Sequence, residues 1–179
     1  MVATSLEIKR AGIKDAQLVS DLSIITFIET YRGECSDKDM TAFMDECFNE
    51  KVIYRELEDP DDFYYIIYAE GFPAGYMRLS EDYEGYPLAK KYKALHLKRI
   101  YVLKEFHSKK LGSALMSYAL QFAAENNYEL LWLGVWEHNN KAKLFYEKWG
   151  FEDHDLPYTF YVGEASYTDY WLIKFIDLN

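Results

Sequence analysis

The sequence predicts an α/β fold of the α+β type: a mixed, mostly antiparallel central sheet that contains one parallel β-α-β unit and carries helices on its flanks. Two observations carry the prediction. Apolar residues recur every second position in some segments and every third or fourth in others, the periods of strands and of helices. The segments follow one another as β, two or three helices, three strands, then α, β, α, β, β. Within that order the strand–helix–strand–helix run at 95–149 requires a parallel pairing amid antiparallel neighbours. At 179 residues the chain is read as a single domain, 1–179, long enough to bury one core.

Leu6 and Ile8 alternate with polar residues in a short strand, and the spacing of Leu18, Leu22 and Ile25 then makes 13–31 a helix. Met40, Phe43, Met44 and Phe48 mark a second helix, capped by Ser36 or Asp37. The aromatic and β-branched run 63–69 pairs with a strand through Tyr76, Met77 and Leu79, with 71–75 supplying the turn. The polar stretch 81–93 reads as a surface loop. Residues 95–103 form the next strand, and Ser108 is placed to cap the helix that follows. That helix is the clearest in the chain, because Leu111, Ala114, Leu115, Tyr118, Ala119, Phe122 and Ala123 keep to one face. The run 130–136 is apolar throughout, as suits a strand covered on both faces. A helix over 139–149 is closed by Gly150, and strands near 151–162 and 167–175 end the chain.

Half of the residues are hydrophobic (50%) and 18% are aromatic, against 9 Gly and 4 Pro, which excludes a disordered or fibrous chain. A net charge of −10 argues against nucleic acid as a partner, since phosphate binding needs a basic surface. No apolar run reaches the ~18–20 residues that span a bilayer, and the first residues lack the apolar stretch of a signal peptide, so no membrane partner and a cytoplasmic location are expected. Cys35 and Cys47 have no metal-like spacing, so neither a metal site nor a disulfide framework is expected.

The charge is segregated along the chain. Residues 90–110 hold eight bases and one acid, whereas 34–62 hold eleven acids and three bases. Lys109 and Lys110 fall where the long helix begins, at the positive end of its dipole, a placement that suits an anion bound to the helix N-terminus or plain solvated lysines. The acidic stretch can line a cleft for a cation or simply solvate a helix face. Asn139 can cap its helix or hydrogen-bond a ligand amide; Ala142 leaves room for close approach, and Tyr146 lies one turn further on the same face.

The stretch Arg99-Ile-Tyr-Val-Leu-Lys-Glu-Phe-His-Ser-Lys-Lys-Leu-Gly-Ser113 resembles the acetyl-CoA-binding strand, turn and helix of the GCN5-related N-acetyltransferase (GNAT) superfamily. The family turn reads Arg or Gln, two residues, Gly, one residue, Gly or Ala; here those positions are His107, Lys110 and Gly112. The block 132–151, with Trp132-Leu-Gly-Val-Trp136-Glu, Asn139-x-x-Ala142 and Tyr146-x-x-x-Gly150-Phe151, is similar to the family's later strand and helix. Together with Thr26-Phe27, Phe48 and Phe160-Tyr-Val-Gly163, it resembles the PaiA-type spermidine/spermine N-acetyltransferases of that superfamily.

The resemblance implies a GNAT-like acyl-CoA N-acyltransferase fold and transfer of an acetyl group from acetyl-CoA to a primary amine, most simply a polyamine such as spermidine or spermine, by direct attack. Acetyl-CoA would be held by Ile100, Tyr101 and Val102, by the turn His107, Ser108, Lys109, Lys110, Leu111, Gly112 and Ser113, and by Asn139, Ala142 and Lys148. Tyr146 would protonate the departing thiolate. Many relatives place a glutamate as base on the strand that ends at Val102; here that strand offers His96 and Lys98, and His96 has a suitable unperturbed pKa of ~6.5. A backbone N–H near Val102 would meet the developing oxyanion. Direct transfer leaves Cys35 and Cys47 without a role as nucleophiles. A different amine (a protein N-terminus, an amino acid, an aminoglycoside) or a non-catalytic acyl-CoA-binding regulator remain the alternatives, and the protein is expected as monomer or homodimer.

Overall fold

The computed structural model describes residues 5–34, 36–83, 86–162 and 165–177. Its strands are β1 (Leu6–Arg10), β2 (Asp62–Ala69), β3 (Phe72–Ser80), β4 (Ala94–Val102), β5 (Leu130–Trp136), β6 (Glu152–Val162) and β7 (Ala165–Phe175). Its α-helices are α1 (Ala16–Tyr31), α2 (Asp37–Cys47), α3 (Glu50–Glu58), α4 (Leu111–Glu125) and α5 (Asn140–Lys148). The strands form one seven-stranded sheet ordered β1-β2-β3-β4-β5-β7-β6. Among the described residues β4·β5 is its parallel pair and every other pairing is antiparallel. No helix among them is long and apolar enough to cross a membrane.

Apolar periodicity divides the core between the two faces of the sheet. On one face α4 buries Leu111, Leu115, Met116, Ala119 and Ala123 against Leu95, Leu97, Leu131 and Leu133. On the other, Val19 and Leu22 of α1 and Ile53 of α3 meet Tyr64, Ile66 and Tyr76. Burying each of the Leu, Ile, Val and Met side chains among these stabilises the fold by roughly 1.5–3 kcal/mol. Beneath α3 lies an ion network. Arg78 donates to both carboxylate oxygens of Asp62, at 3.0 and 2.6 Å, and to Glu56 at 2.7 Å; Arg99 donates to Glu56 at 3.1 Å and to the Tyr64 hydroxyl at 2.6 Å. Two guanidinium groups face two carboxylates, so the buried charges balance.

Three expectations are corrected. The β2–β3 turn is made by Glu70 and Gly71, both with positive φ, and Gly75 lies inside β3, where a side chain would strike the Tyr101 carbonyl. The stretch 81–93 is more than a surface loop, because Tyr86 and Ala89 are fully buried against Leu130, Trp132 and Trp171. Ser108 does not cap α4. The cap is Lys110, in the left-handed region at φ 61° with no side-chain hydrogen bond, and Ser108 itself has φ 71°. Two non-glycine residues in that region within one turn cost of the order of 1–2 kcal/mol each.

Candidate active site

The site opens where the sheet parts. β4 and β5 pair only through Ala94↔Leu130, Leu95↔Leu131 and His96↔Trp132, although β4 runs on to Val102 and β5 to Trp136. An irregularity against β3, where Arg78 faces Arg99 but Leu79 faces Leu97, leaves Lys98 as the extra residue just where the strands separate. Such a bulge kinks its strand and increases its twist. Three adjoining cavities of about 360, 520 and 290 Å³ occupy the gap. The first two share Val102 and Ala142, and the last two share Tyr31 and Trp136, so they form one groove across the sheet.

At one end the groove meets the N-terminus of α4. The first N–H groups of a helix lack partners within it, and here no side chain caps them; the ladder starts with Ala114 N–H donating to the Lys110 carbonyl at 3.0 Å. Ser108, Lys110, Leu111, Gly112 and Ser113 line this end together with Ile100, Val102, Phe145 and Tyr146. His107 donates through Nε2 to the Val102 carbonyl at 2.9 Å, leaving Nδ1 to face the Lys141 ammonium at 3.4 Å. An uncapped helix N-terminus ringed by His107, Lys110 and Lys141 suits a phosphate-bearing ligand. The diphosphate of coenzyme A fits this donor set.

In the middle, three phenols converge. Tyr31, Tyr101 and Tyr146 lie within electrostatic reach of one another, and Tyr31 also of Asn139 and Asp169. Burial, reinforced by Tyr31, pushes the Tyr146 phenol far above its ordinary value, so it keeps its proton at neutral pH. Asn139 resolves its two alternatives in part, since its side-chain oxygen accepts from Ala142 N–H at 3.1 Å as a helix cap.

The far end is walled by aromatic rings. Phe27 stacks on Phe43 at 4.9 Å, Trp136 packs on Tyr31 at 5.9 Å and on Tyr167 at 6.0 Å, and Tyr158 packs on Trp171 at 5.1 Å. His96 borders this cavity, buried, with its ring stacked on Trp132 at 3.6 Å and its Nδ1 2.8 Å from Asp82. Asp82 also meets Lys98 at 2.6 Å. Burial alone would raise the Asp82 carboxyl, but His96 and Lys98 together outweigh it and hold it well below the usual range. Asp169 lines the same cavity. Its Oδ1 is buried with no hydrogen-bond partner, and burial pushes its carboxyl up to about 7.

The structure thus brings Ile100, Tyr101, Val102, His107, Ser108, Lys110, Leu111, Gly112, Ser113, Asn139, Ala142 and Tyr146 onto one groove, with His96 at its opposite end. Lys109 instead sits over the Phe106 ring, and Lys148 is exposed at the end of α5; neither is among the groove's lining residues. Of the acidic stretch, Glu34 lines the groove, whereas Glu56 and Asp62 are engaged by arginines. Cys47 is half-buried, with its thiol pushed up by burial, and Cys35 lies outside the described residues. Sequence reasoning missed Tyr31, Lys141 and Asp169. Only Asp169 had a local signal: it takes the place of an aromatic residue in the alternation Tyr167, Asp169, Trp171.

The family model of the acetyltransferase (GNAT) family matches residues 25–151. An uncharacterised N-acetyltransferase from the pepI 3′ region of Lactobacillus delbrueckii subsp. lactis is 33% identical over 174 residues, covering 96% of this chain and 98% of the relative. Among solved structures, a PaiA N-acetyltransferase of Thermoplasma acidophilum in complex with coenzyme A superposes with a TM-score of 0.77 at 20% identity, over 96% of this chain and 99% of that one. An N-acetyltransferase of Staphylococcus aureus Mu50 gives 0.72 at 20% identity, over 97% and 98%.

Proposed function

The chain belongs to the acetyltransferase (GNAT) family and is an N-acetyltransferase, and on that premise we propose that it moves the acetyl group of acetyl-CoA onto a small aliphatic amine of the polyamine class. One observation carries the reading: a continuous groove joins an uncapped helix N-terminus, through the parted strands, to an aromatic cavity containing a buried carboxyl. The Thermoplasma neighbour with coenzyme A supports the choice of donor.

Acetyl-CoA supplies an acetyl thioester. Lys110, Lys141 and the N–H groups of Leu111 to Ser113 would hold its diphosphate, and Ala142 leaves space beside β4. Beyond His96 one edge of β4 has no β5 partner, so alternate main-chain N–H groups near Val102 are free to polarise the acetyl carbonyl. Tyr146 retains its proton and would deliver it to the leaving sulfur. An alkylammonium near pKa ~10.4 must first lose a proton, and the acceptor cavity offers Asp169, whose carboxyl is pushed up to about 7 by burial, and the His96 imidazole as receivers.

Thiol release measured with acetyl-CoA against a panel of amines tests the proposal. Turnover with spermidine, spermine and simple diamines is expected. Turnover confined to aminoglycosides or peptides would reject the polyamine assignment, and tight coenzyme A binding without turnover on any amine would reject the acetyl-transfer reading.

A further inference from the structure

We propose that Asp169 is the receptor for the acceptor's ammonium group and the base that takes its proton. The inference rests on the acetyl-transfer reading and adds the residue that selects a cationic acceptor.

The charge pattern singles out Asp169. Every cation lining the acceptor cavity is matched by an acid outside it: His96 and Lys98 by Asp82, and Arg99 by Glu56. Asp169 has no such match, since its Oδ1 is buried and without a hydrogen-bond partner. A buried carboxylate left unpaired is costly, and a ligand cation relieves that cost. The space around it is also reserved. A side chain on Gly134 would stand 3.0 Å from Asp169 Oδ2, so the glycine keeps open the patch of sheet over which the carboxyl lies. Trp136, Tyr167 and Trp171 flank it with ring surfaces that favour an alkylammonium through cation–π attraction. At the mouth Glu34 is exposed and lines both this cavity and the next, a second anion for an acceptor with two positive ends.

Atoms and protons balance with this assignment. The bound ammonium passes one proton to Asp169 and becomes a neutral amine. Its lone pair attacks the acetyl carbon, the C–N bond forms, the C–S bond breaks, and the electron pair leaves on sulfur. Tyr146 protonates the sulfur and is refilled by the second proton of the nitrogen, while Asp169 returns its proton to water. Burial lowers the ammonium pKa and raises the carboxyl to about 7, so desolvation narrows the gap from both sides.

Other titratable and charged groups face the same cavity. From the α1 side these are Tyr31 and Glu34; β4 contributes His96, Lys98, Arg99 and Tyr101; the C-terminal hairpin contributes Tyr158 and Tyr167.

The test compares wild type with Asp169→Asn, Asp169→Glu and His96→Gln, each confirmed as folded by circular dichroism. Spermidine binding is measured by calorimetry without acetyl-CoA, and KM for each substrate and the pH profile of kcat/KM are measured with it. We expect Asp169→Asn to weaken spermidine binding and raise its KM by about 30-fold or more, as loss of a buried charge partner does. KM for acetyl-CoA should stay within about twofold, the limb of the profile near pH ~7 should vanish, and Asp169→Glu should restore part of the affinity. Unchanged spermidine affinity in Asp169→Asn, or a limb removed by His96→Gln and kept in Asp169→Asn, would overturn the proposal while leaving the acetyltransferase intact. Should wild type turn over no amine, the acetyl-transfer reading fails, and the calorimetric comparison still decides whether Asp169 receives the cation.

Discussion

The two ends of the groove are built from different materials. The donor end is mostly main chain: one helix N-terminus, two left-handed residues and one strand edge, all within residues 100–113, with α5 as its second wall. The acceptor end is mostly side chain, contributed by α1, α2, β4, β5, β6, β7 and the turns after the two helices. Backbone amides recognise a group common to many ligands, such as phosphate, whereas rings and a single carboxyl recognise a particular shape and charge. A family can therefore keep the first and vary the second.

The largest expected effect breaks the acceptor end from below. Glu56→Ala leaves Arg78 and Arg99 without their shared carboxylate, and a loss of about 3–5 kcal/mol in denaturant unfolding is expected. Next, Tyr146→Phe acts where the two ends meet. It should lower kcat by about 10²-fold or more while leaving both KM values and stability nearly unchanged; equal loss in KM would show the phenol to be a binding group.

A third effect sharpens the contrast, because a group selected for a ligand is a liability without one. Burial pushes the Asp169 carboxyl up to about 7 in the fold, from ~3.9 in the unfolded chain, so its contribution to stability is fully present below pH ~4 and lost as pH rises through ~7. Asp169→Asn should accordingly stabilise the free protein at pH 8 by about 1–2 kcal/mol, allowing for solvent screening, and by almost nothing at pH 4. Thermal unfolding at the two pH values reads this directly. The smallest effect is at the donor end: Lys110→Glu should raise KM for acetyl-CoA by about five- to tenfold and leave the amine KM alone. An unchanged KM would detach this turn from phosphate binding.

Much of the donor end was legible in sequence because its parts are close together in the chain. The spacing of Asn139, Ala142 and Tyr146 defines a helix face, and the apolar pattern from Leu111 onward places the helix that receives the turn. The helix start is not legible, because a hydroxyl such as that of Ser108 is the usual cap, whereas here Lys110 takes a left-handed conformation that leaves the amides open. The acceptor end could not be read in this way. Tyr31, Trp136 and Asp169 lie more than a hundred residues apart along the chain at the extremes, and only the strand order, with β7 inserted between β5 and β6, brings them together. His96 stands out in the sequence by its chemistry alone, and its partners Asp82 and Trp132 come from a loop and a neighbouring strand that composition does not connect.

The parting of β4 from β5 has one more consequence. Three residue pairs join the two halves of the sheet here, and beyond them a strand in the middle of the molecule has the unprotected amides of a peripheral one. In deuterated water those interior amides should exchange ahead of their neighbours in β2 and β3, and an occupied groove should slow them.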